Sequence, residues 1–376
     1  METSLKSSIQ IFSHRIKSTL QNADKIFIFA VLALIIFGLF MLLSVSSYES
    51  EKFNNSAYSL FLNQIFAICI AIITFCLGIT INPQRFKELT PILVILALLS
   101  LILLNFSPLG LTAGGAERWL NLGIFSFQPS EFAKIAVLAL MADAVCRGNW
   151  NSPPVILRLL LCGLIAFLIY KEPDLGSALL IFILCGFFLF IRGMNLIIVL
   201  CSGFLLSTIV FWVINNNTYQ NDRIKGWLNP QDDPLGIGYN ILQSYYAIAE
   251  GGFLGVGYGN SFYKLGYLPV SYADFIFSIM CEELGILAPI IIISLYSVIL
   301  WKGINASIQV KDNFMKYLSL GIIFVMISEA ILNLAGVCGI LPITGTPLPF
   351  VSYGKTSLIV NGFLLGLLIN LLYNKK

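Results

Sequence analysis

The chain has 376 residues, of which 58% are hydrophobic and only 11% charged, and its mean hydropathy is +0.88. Soluble globular domains carry about 25% charged residues, so this composition excludes a soluble domain. The formal net charge of +3 gives no reason to invoke a nucleic-acid partner. The sequence therefore predicts an all-α, polytopic membrane protein.

About ten apolar segments are candidates to cross the bilayer, whose core of about 30 Å takes roughly 20 helical residues. In chain order they are 26–46, 59–81, 89–106, 130–146, 154–170, 174–191, 194–214, 274–300, 317–340 and 349–373. An even number of spans places both termini on one side. We interpret residues 1–25 as a polar N-terminal tail and residues 26–376 as a single transmembrane domain.

The distribution of Lys and Arg orients the spans, because short cytoplasmic loops are enriched in these residues. Short loops on the side opposite the termini contain only Lys52, Arg118 and Lys171, and the terminal side holds most of the others. Both termini are therefore expected in the cytoplasm, with the first span an uncleaved anchor. The large loop 215–273 then faces the exterior.

Cysteine and histidine chemistry is not expected. All eight cysteines lie in apolar segments and form no CxxC pair, so neither a disulfide scaffold nor a zinc site is predicted. The only histidine, His14, lies in the N-terminal tail. Chemistry on the exterior side would need a different general base.

Three exterior segments carry polar and aromatic residues. The first, 107–130, includes Trp119, which suits a headgroup-level anchor. The second, 215–273, mixes charges with aromatic residues and a Gly-rich stretch, so we expect it to fold back on the membrane rather than to be disordered. The third is the Pro-rich turn 341–349, which enters the last predicted span.

Several ionisable residues fall inside predicted spans, where they usually pair, line a cavity or do chemistry. Asp143 and Arg158 lie near cytoplasmic helix ends and are expected to be structural.

Lys134 and Lys355 instead lie in the exterior halves of their predicted helices. Either lysine could form a buried ion pair with an acid or contribute to an anion site, and both interpretations hold together if the pair lines a cavity. The candidate partners are Glu282, Glu283 and Glu329.

Asp274 lies where the large exterior loop enters the predicted span 274–300. Glu282 and Glu283 follow about 12 to 14 Å further along an ideal helix and turn away from the Asp274 face. We therefore expect the two glutamates to be architectural and Asp274 to be the candidate catalytic carboxylate. From composition alone, capping of the helix is the commoner role of an Asp at this position.

Six motifs follow one another along nearly the whole chain. They are GAERWLNLG (115–123), FQPSEFAK (127–134), EPDLGSALL (172–180), RIKGWLNPQDDPLGIGY (223–239), YADFIFSIMCEELG (272–285) and PLPFVSYGKTS (347–357). In this order they resemble the SEDS family, the shape, elongation, division and sporulation proteins. The stretches AEGGFLGVGYGNS and KLGYLP are more similar to the division branch than to the elongation branch.

The resemblance implies a peptidoglycan glycosyltransferase that polymerises lipid II into β-1,4 glycan strands on the outer face of the bacterial cytoplasmic membrane, at the division septum. It implies inversion at MurNAc C1, and a class B penicillin-binding protein and other divisome membrane proteins as partners. By resemblance Asp274 is the essential acid, here assigned as general base. Candidate substrate-binding residues are Arg118, Trp119, Glu131, Lys134, Arg223, Lys264 and Lys355.

The chain departs from the family pattern near this acid. Tyr272 and Ala273 stand where the family usually has His and Thr, and Val270 lies where a Glu is common. Lys355 and Thr356 replace a Gly-Ser pair. The first change removes a polar neighbour of the predicted base.

Two other functions stay open at this stage: a transporter that moves lipid II across the membrane, and a non-catalytic scaffold that recruits a penicillin-binding protein. Clustering of the special residues on the exterior side favours the enzyme, because a transporter should show similar features near the midplane. The sequence requires no cofactor and identifies no metal ligands. A divalent cation, Mg²⁺ or Mn²⁺, that bridges Asp274 or another acid to phosphate is compatible with it.

Overall fold

The computed structural model describes residues 14–54, 58–107, 110–113, 116–121, 123, 126–147, 151–201, 203 and 218–373. The helices, numbered in chain order, are α1 (Lys25–Asn54), α2 (Ser59–Thr80), α3 (Pro83–Glu88), α4 (Thr90–Phe106), α5 (Pro129–Arg147), α6 (Pro153–Lys171), α7 (Leu175–Ile191), α8 (Thr218–Leu228), α9 (Tyr239–Gly251), α10 (Ile276–Leu284), α11 (Leu287–Ile308), α12 (Asn313–Val337) and α13 (Lys355–Tyr373).

The predicted all-α membrane fold is confirmed. Within the described residues, α1, α2, α6, α11, α12 and α13 are long and apolar enough to cross a membrane, and α4 and α7 are shorter apolar helices. The predicted span 130–146 corresponds to α5, and the tail is helical over 14–22. The predicted span 194–214 lies mostly outside the described residues. The protein is a multi-pass membrane protein.

The predicted span 274–300 is wrong as a single helix. It is divided at Gly285, which has a φ of 58° and ends α10. Backbone N–H groups of Val256 and Gly257 donate to the carbonyls of Glu282 and Glu283 at 2.9 and 3.1 Å. Because the exterior loop takes up these carbonyls, the helix does not continue, and α11 starts two residues later.

Helix α5 forms the centre of the bundle. It is buried along almost its whole length and packs against α4, α6, α7, α12 and α13. Small side chains such as Ala133, Ala136 and Ala139 have no exposed surface, which allows the neighbouring helices to approach closely. This helix begins at the end of the bundle where the segments predicted to be exterior meet around one cavity.

The first exterior segment forms a small antiparallel sheet that the sequence did not predict. Its strands are β1 (Gly110–Ala113), β2 (Ala116–Asn121) and β3 (Ser126–Phe127), in the order β1-β2-β3. Side chains alternate across a strand, so Arg118 and Leu120 are buried and Trp119 between them is only half-buried.

The two glutamates of α10 hold the large exterior loop against the helices. Glu282 accepts a hydrogen bond from Ser261 Oγ at 2.5 Å. Glu283 accepts from Lys264 Nζ at 2.8 Å and from Ser44 Oγ of α1 at 2.6 Å. Their architectural role agrees with the prediction, although they brace the loop rather than a cavity wall.

The most extensive helix contact joins α2 and α13, and Gly78 is one of the glycines that allow the close approach. A methyl group added to Gly78 would lie 2.5 Å from the carbonyl oxygen of Phe363 and 2.6 Å from the backbone nitrogen of Leu367. Both neighbours are backbone atoms, so neither can rotate away.

We therefore expect Gly78→Ala to destabilise the protein by about 1–3 kcal/mol, the usual cost of overpacking. Gly163→Ala is the matched control, because a methyl group there would meet no atom within 4 Å. Thermal unfolding in detergent should show a lower midpoint for the first variant only. Equal midpoints for both variants would contradict the close packing.

Candidate active site

A cavity of about 630 Å³ lies at the end of the bundle where α5 and α13 begin. Its walls come from the small sheet, α8, α9, the segment before α10, the Pro-rich turn and the start of α13. Five of the predicted site residues line it, and they come from four different parts of the sequence: Arg118, Trp119, Arg223, Asp274 and Lys355.

Three charged groups converge on Gly345 in this cavity. A methyl group placed on Gly345 would lie 3.3 Å from Arg118 Nη1, 3.7 Å from Asp274 Oδ2 and 3.9 Å from Arg223 Nη1. The carboxylate and both guanidinium groups thus lie within 4 Å of one point. Gly345 has a φ of 74° and no side chain, so it leaves the space between them open.

One side-chain nitrogen of Arg118 forms a hydrogen bond to the protein, and another has no partner among the described residues. Its Nη2 donates to the carbonyl oxygen of Pro173 at 2.5 Å, and the side chain is buried. Its Nε has no hydrogen-bond partner among the described residues. Its Nη1 faces the space beside Gly345, where a bound anion would stabilise this arginine. Arg223 is held separately, through Nη1 to the carbonyl oxygen of Ile343 at 3.3 Å.

Asp174 positions the loop that holds Arg118, a role that the sequence interpretation missed. Its carboxylate accepts from Ser177 N at 3.1 Å and Ser177 Oγ at 2.8 Å, and so caps α7. It also accepts from Ser130 Oγ at 3.1 Å, which joins the starts of α7 and α5. An Asp three residues before a Ser at the start of an apolar run is the sequence signal for such a cap.

Side-chain hydrogen bonds connect the backbone around Asp274 to the Pro-rich turn and the residues after it. Asn333 Nδ2 donates to the carbonyl oxygen of Asp274 at 3.0 Å and to that of Thr346 at 2.9 Å. Ser352 Oγ donates to the carbonyl oxygen of Ala273 at 2.7 Å. These bonds hold the Asp274 backbone and leave its carboxylate directed at the cavity.

The capping alternative for Asp274 is wrong. Helix α10 begins at Ile276 with Phe275 as its N-cap, and no side chain caps it. The ring of Tyr272, which replaces the usual His of the family pattern, stacks edge-on against Tyr353 with centroids 5.5 Å apart. Both tyrosines line the cavity, so an aromatic wall stands where the sequence lacks a polar neighbour.

The surroundings raise the pKa of Asp274 above its ordinary value. Burial of the carboxyl group has the largest effect, and it exceeds the opposing effects of Arg223 and Arg118. Asp174 raises this pKa further. A carboxylate with a raised pKa is a stronger general base than an exposed one.

The family model described as cell cycle protein FtsW/RodA/SpoVE matches residues 24–376. The chain belongs to this family. Among its relatives, a probable peptidoglycan glycosyltransferase FtsW of Trichlorobacter lovleyi is 35% identical, covering 94% of this chain and 93% of its own. The stage V sporulation protein E of Bacillus subtilis is 31% identical, covering 93% and 96%.

A solved structure shows the same fold in this family. It is a chain of a peptidoglycan synthase complex that coordinates polymerization and crosslinking, 27% identical, with a TM-score of 0.76. The match covers 92% of this chain and 96% of that one. This agreement over both chains confirms the membrane fold described above.

Three of the predicted substrate-binding residues lie away from the cavity. Lys134 is buried between Glu131, 2.7 Å from its Nζ, and Glu329 on α12. The ion-pair interpretation of Lys134 is therefore confirmed, and neither Lys134 nor Glu131 lines the cavity. Lys264, in the large loop, forms an ion pair with Glu283 of α10. The reason is electrostatic, because both lysines are buried and a buried charge is costly unless it is paired.

Lys355 differs from the other two lysines. It lines the cavity, and its Nζ donates to Asn63 Oδ1 of α2 at 3.3 Å. The predicted pairing of Lys355 with one of the glutamates is wrong. Asp143, in contrast, pairs with Arg158 at 2.8 Å and Arg147 at 2.6 Å near the opposite end of α5, as expected for structural charges.

Within the described residues no group of three or more His, Cys, Asp and Glu side chains gathers around one point. The carboxylate that lines the cavity, Asp274, has guanidinium groups as its near charged neighbours. The donor set therefore suits an anionic ligand, and suits a metal ion only if that ion arrives with phosphate ligands of its own.

We expect Lys134→Met to destabilise the protein strongly, by about 3–5 kcal/mol, because it leaves two buried carboxylates without their shared counter-ion. Lys311→Met is the control, since Lys311 is exposed. The midpoint of thermal unfolding in detergent measures the difference. If Lys134→Met unfolded like the wild type and lost only activity, Lys134 would act on substrate and the structural assignment would be wrong.

Proposed function

We propose that this chain is a peptidoglycan glycosyltransferase that polymerises lipid II into β-1,4 glycan strands during cell division. The observation that carries the proposal is the meeting of one carboxylate, Asp274, with the guanidinium groups of Arg118 and Arg223 inside a cavity that has room for a sugar between aromatic walls. The names of the relatives, probable peptidoglycan glycosyltransferases of the FtsW type, support it.

The chemistry assigns one role to each charge. The 4-hydroxyl oxygen of the acceptor GlcNAc forms a bond to C1 of the donor MurNAc, from the face opposite the leaving group, so the configuration inverts. The bond from C1 to undecaprenyl pyrophosphate breaks, and the electron pair leaves with the pyrophosphate. Asp274 takes the hydroxyl proton as general base.

Arg118 and Arg223 stabilise the charge that develops on the departing pyrophosphate. Because pyrophosphate is already a good leaving group, no second carboxylate is needed to protonate it, in contrast to glycoside hydrolysis. Nη1 of Arg118, which faces the space beside Gly345, is a donor available for a phosphate oxygen. Should a Mg²⁺ or Mn²⁺ ion accompany the pyrophosphate, Asp274 is the residue that would hold it, and the ion would supply further charge neutralisation.

The orientation of the cavity supports an exterior reaction. The cavity lies at the start of α5, whereas Arg147 and Lys87 cluster around Asp143 at the other end of that helix. Basic residues concentrate on the cytoplasmic side, which supports the proposal that the cavity faces outward and that both termini are cytoplasmic. An exterior site is where lipid II would be joined to the wall at the septum.

The proposed partner is a class B penicillin-binding protein, which would supply transpeptidation, together with other divisome membrane proteins. The support is that the related chain at 27% identity belongs to a synthase complex that couples polymerization to crosslinking. In this proposal, the chain makes the strand and its partner crosslinks it.

The central test is Asp274→Asn, which keeps the shape of the side chain and removes its basicity. Purified protein, with and without the cognate penicillin-binding protein, should polymerise lipid II in the wild type and lose at least about 100-fold in rate in the variant, the usual contribution of a general base. Asp232→Asn is the control, because Asp232 is exposed.

If Asp274→Asn polymerised lipid II at the wild-type rate, the assignment of Asp274 as the general base would be wrong. Lipid II transfer across proteoliposomes by both proteins without polymer formation would support a transporter instead. Growth of cells that carry Asp274→Ala would favour a scaffold.

The pH profile gives a second test with a defined sign. Only the ionised Asp274 accepts a proton, so kcat/KM should fall as pH drops through its raised pKa. Arg223 is the cation that lowers this pKa most. Arg223→Gln should therefore raise the pKa and move the acidic limb to higher pH, besides lowering the rate. If the acidic limb of the pH profile stayed at the same pH in Arg223→Gln, Arg223 would not act on the catalytic carboxylate.

A further inference from the structure

Lys355 is a cation of the cavity that stands apart from the two arginines. It begins α13 and lines the cavity beside Thr356. Its Nζ contacts Asn63 of α2, whereas the charged groups that act on Asp274 are Arg223, Arg118 and Asp174. The cavity thus has a cationic position at the α2 side as well as one beside the catalytic carboxylate.

No acid in the described part of the chain neutralises this ammonium group. Lys134 and Lys264, which are buried more deeply, each have a carboxylate partner. Lys355 is half-buried and forms no ion pair with a described residue. A partly desolvated cation without a counter-ion is costly, and an anionic ligand would remove that cost.

The position of Asn63 shows what kind of anion can reach this site. Its neighbours on α2, Leu62 and Phe66, are 59% and 63% exposed. Helix α2 is apolar enough to cross a membrane, so these side chains face lipid. Lys355 therefore lies where a polar cavity meets a lipid-facing surface, which suits a ligand with a phosphate head and an apolar tail.

We propose that Lys355 binds the pyrophosphate of the acceptor lipid, at a subsite separate from the donor subsite formed by Arg118 and Arg223. This inference rests on the proposed function, in which both substrates are lipid pyrophosphates. In the donor, the reacting C1 carries the pyrophosphate directly, so its phosphates lie beside Asp274.

In the acceptor, the reacting hydroxyl is on GlcNAc and the pyrophosphate is on MurNAc, so the length of a disaccharide separates them. The acceptor phosphate must then lie in the same cavity but away from Asp274, and Lys355, which lines the cavity and contacts Asn63 of α2, is the cation that suits it. The prenyl chain of the acceptor would leave along the exposed face of α2. This arrangement explains why a single cavity contains two separated cationic positions.

The test counts bound lipid. In the background of Asp274→Asn, which holds substrate without turnover, native mass spectrometry should find two lipid II molecules per chain. Adding Lys355→Gln should reduce the count to one, and Lys355→Arg should restore two. Lys311→Gln, an exposed charge, is the control and should keep two.

Active protein gives an independent measure. Lys355→Gln should raise the KM for lipid II by about tenfold or more, as expected for loss of a charge-assisted hydrogen bond, and should leave kcat nearly unchanged. Lys355→Arg should recover the low KM. Should Lys355→Gln fail to fold, Lys355→Met, which keeps the apolar stem, makes the same measurement.

Two results would overturn the proposal: two lipid II molecules still bound to the Lys355→Gln chain, or displacement of the second lipid II by phosphatidylglycerol at equal concentration. The latter would make the subsite a general phospholipid contact. Because the binding count needs no turnover, it tests this subsite even if the wild type fails to polymerise lipid II, which would refute only the proposed function.

Discussion

The convergence of Asp274, Arg118 and Arg223 around Gly345 is the constraint on which the rest of the structure depends. A carboxylate and two guanidinium groups from distant parts of the chain can share a partly dehydrated space only if further polar contacts hold these residues in place. Pro173, Ile343 and Asn333 provide these fixed points through polar contacts to the charged residues.

The acidic residues named above differ in whether their carboxylates are bonded within the protein or face the cavity. Glu282 and Glu283 close the exterior loop, Asp174 joins two helix starts, and Glu131 with Glu329 neutralises Lys134. Each of these carboxylates has protein donors or cations as partners. Asp274 differs, because its backbone is bonded and its carboxylate faces the cavity, the arrangement expected of a group that must act on a ligand.

Much of the fold could be predicted from the sequence, because apolar runs of membrane length leave few alternatives. Asp274, Arg118 and Arg223 could be predicted from motif order, but their meeting at Gly345 could not, since it depends on long-range packing. The small sheet was missed because its strands are only four, six and two residues long. The break at Gly285 was missed because the exterior loop, far away in sequence, supplies the hydrogen bonds that end α10.

The most direct measurement is a cryo-electron microscopy structure of the Asp274→Asn chain with lipid II bound. We expect a pyrophosphate within hydrogen-bonding distance of Arg118 and Arg223, with the MurNAc C1 facing residue 274. Density for the pyrophosphate at Lys264, at Lys134 or along the bundle interior, with the space beside Gly345 vacant, would contradict it.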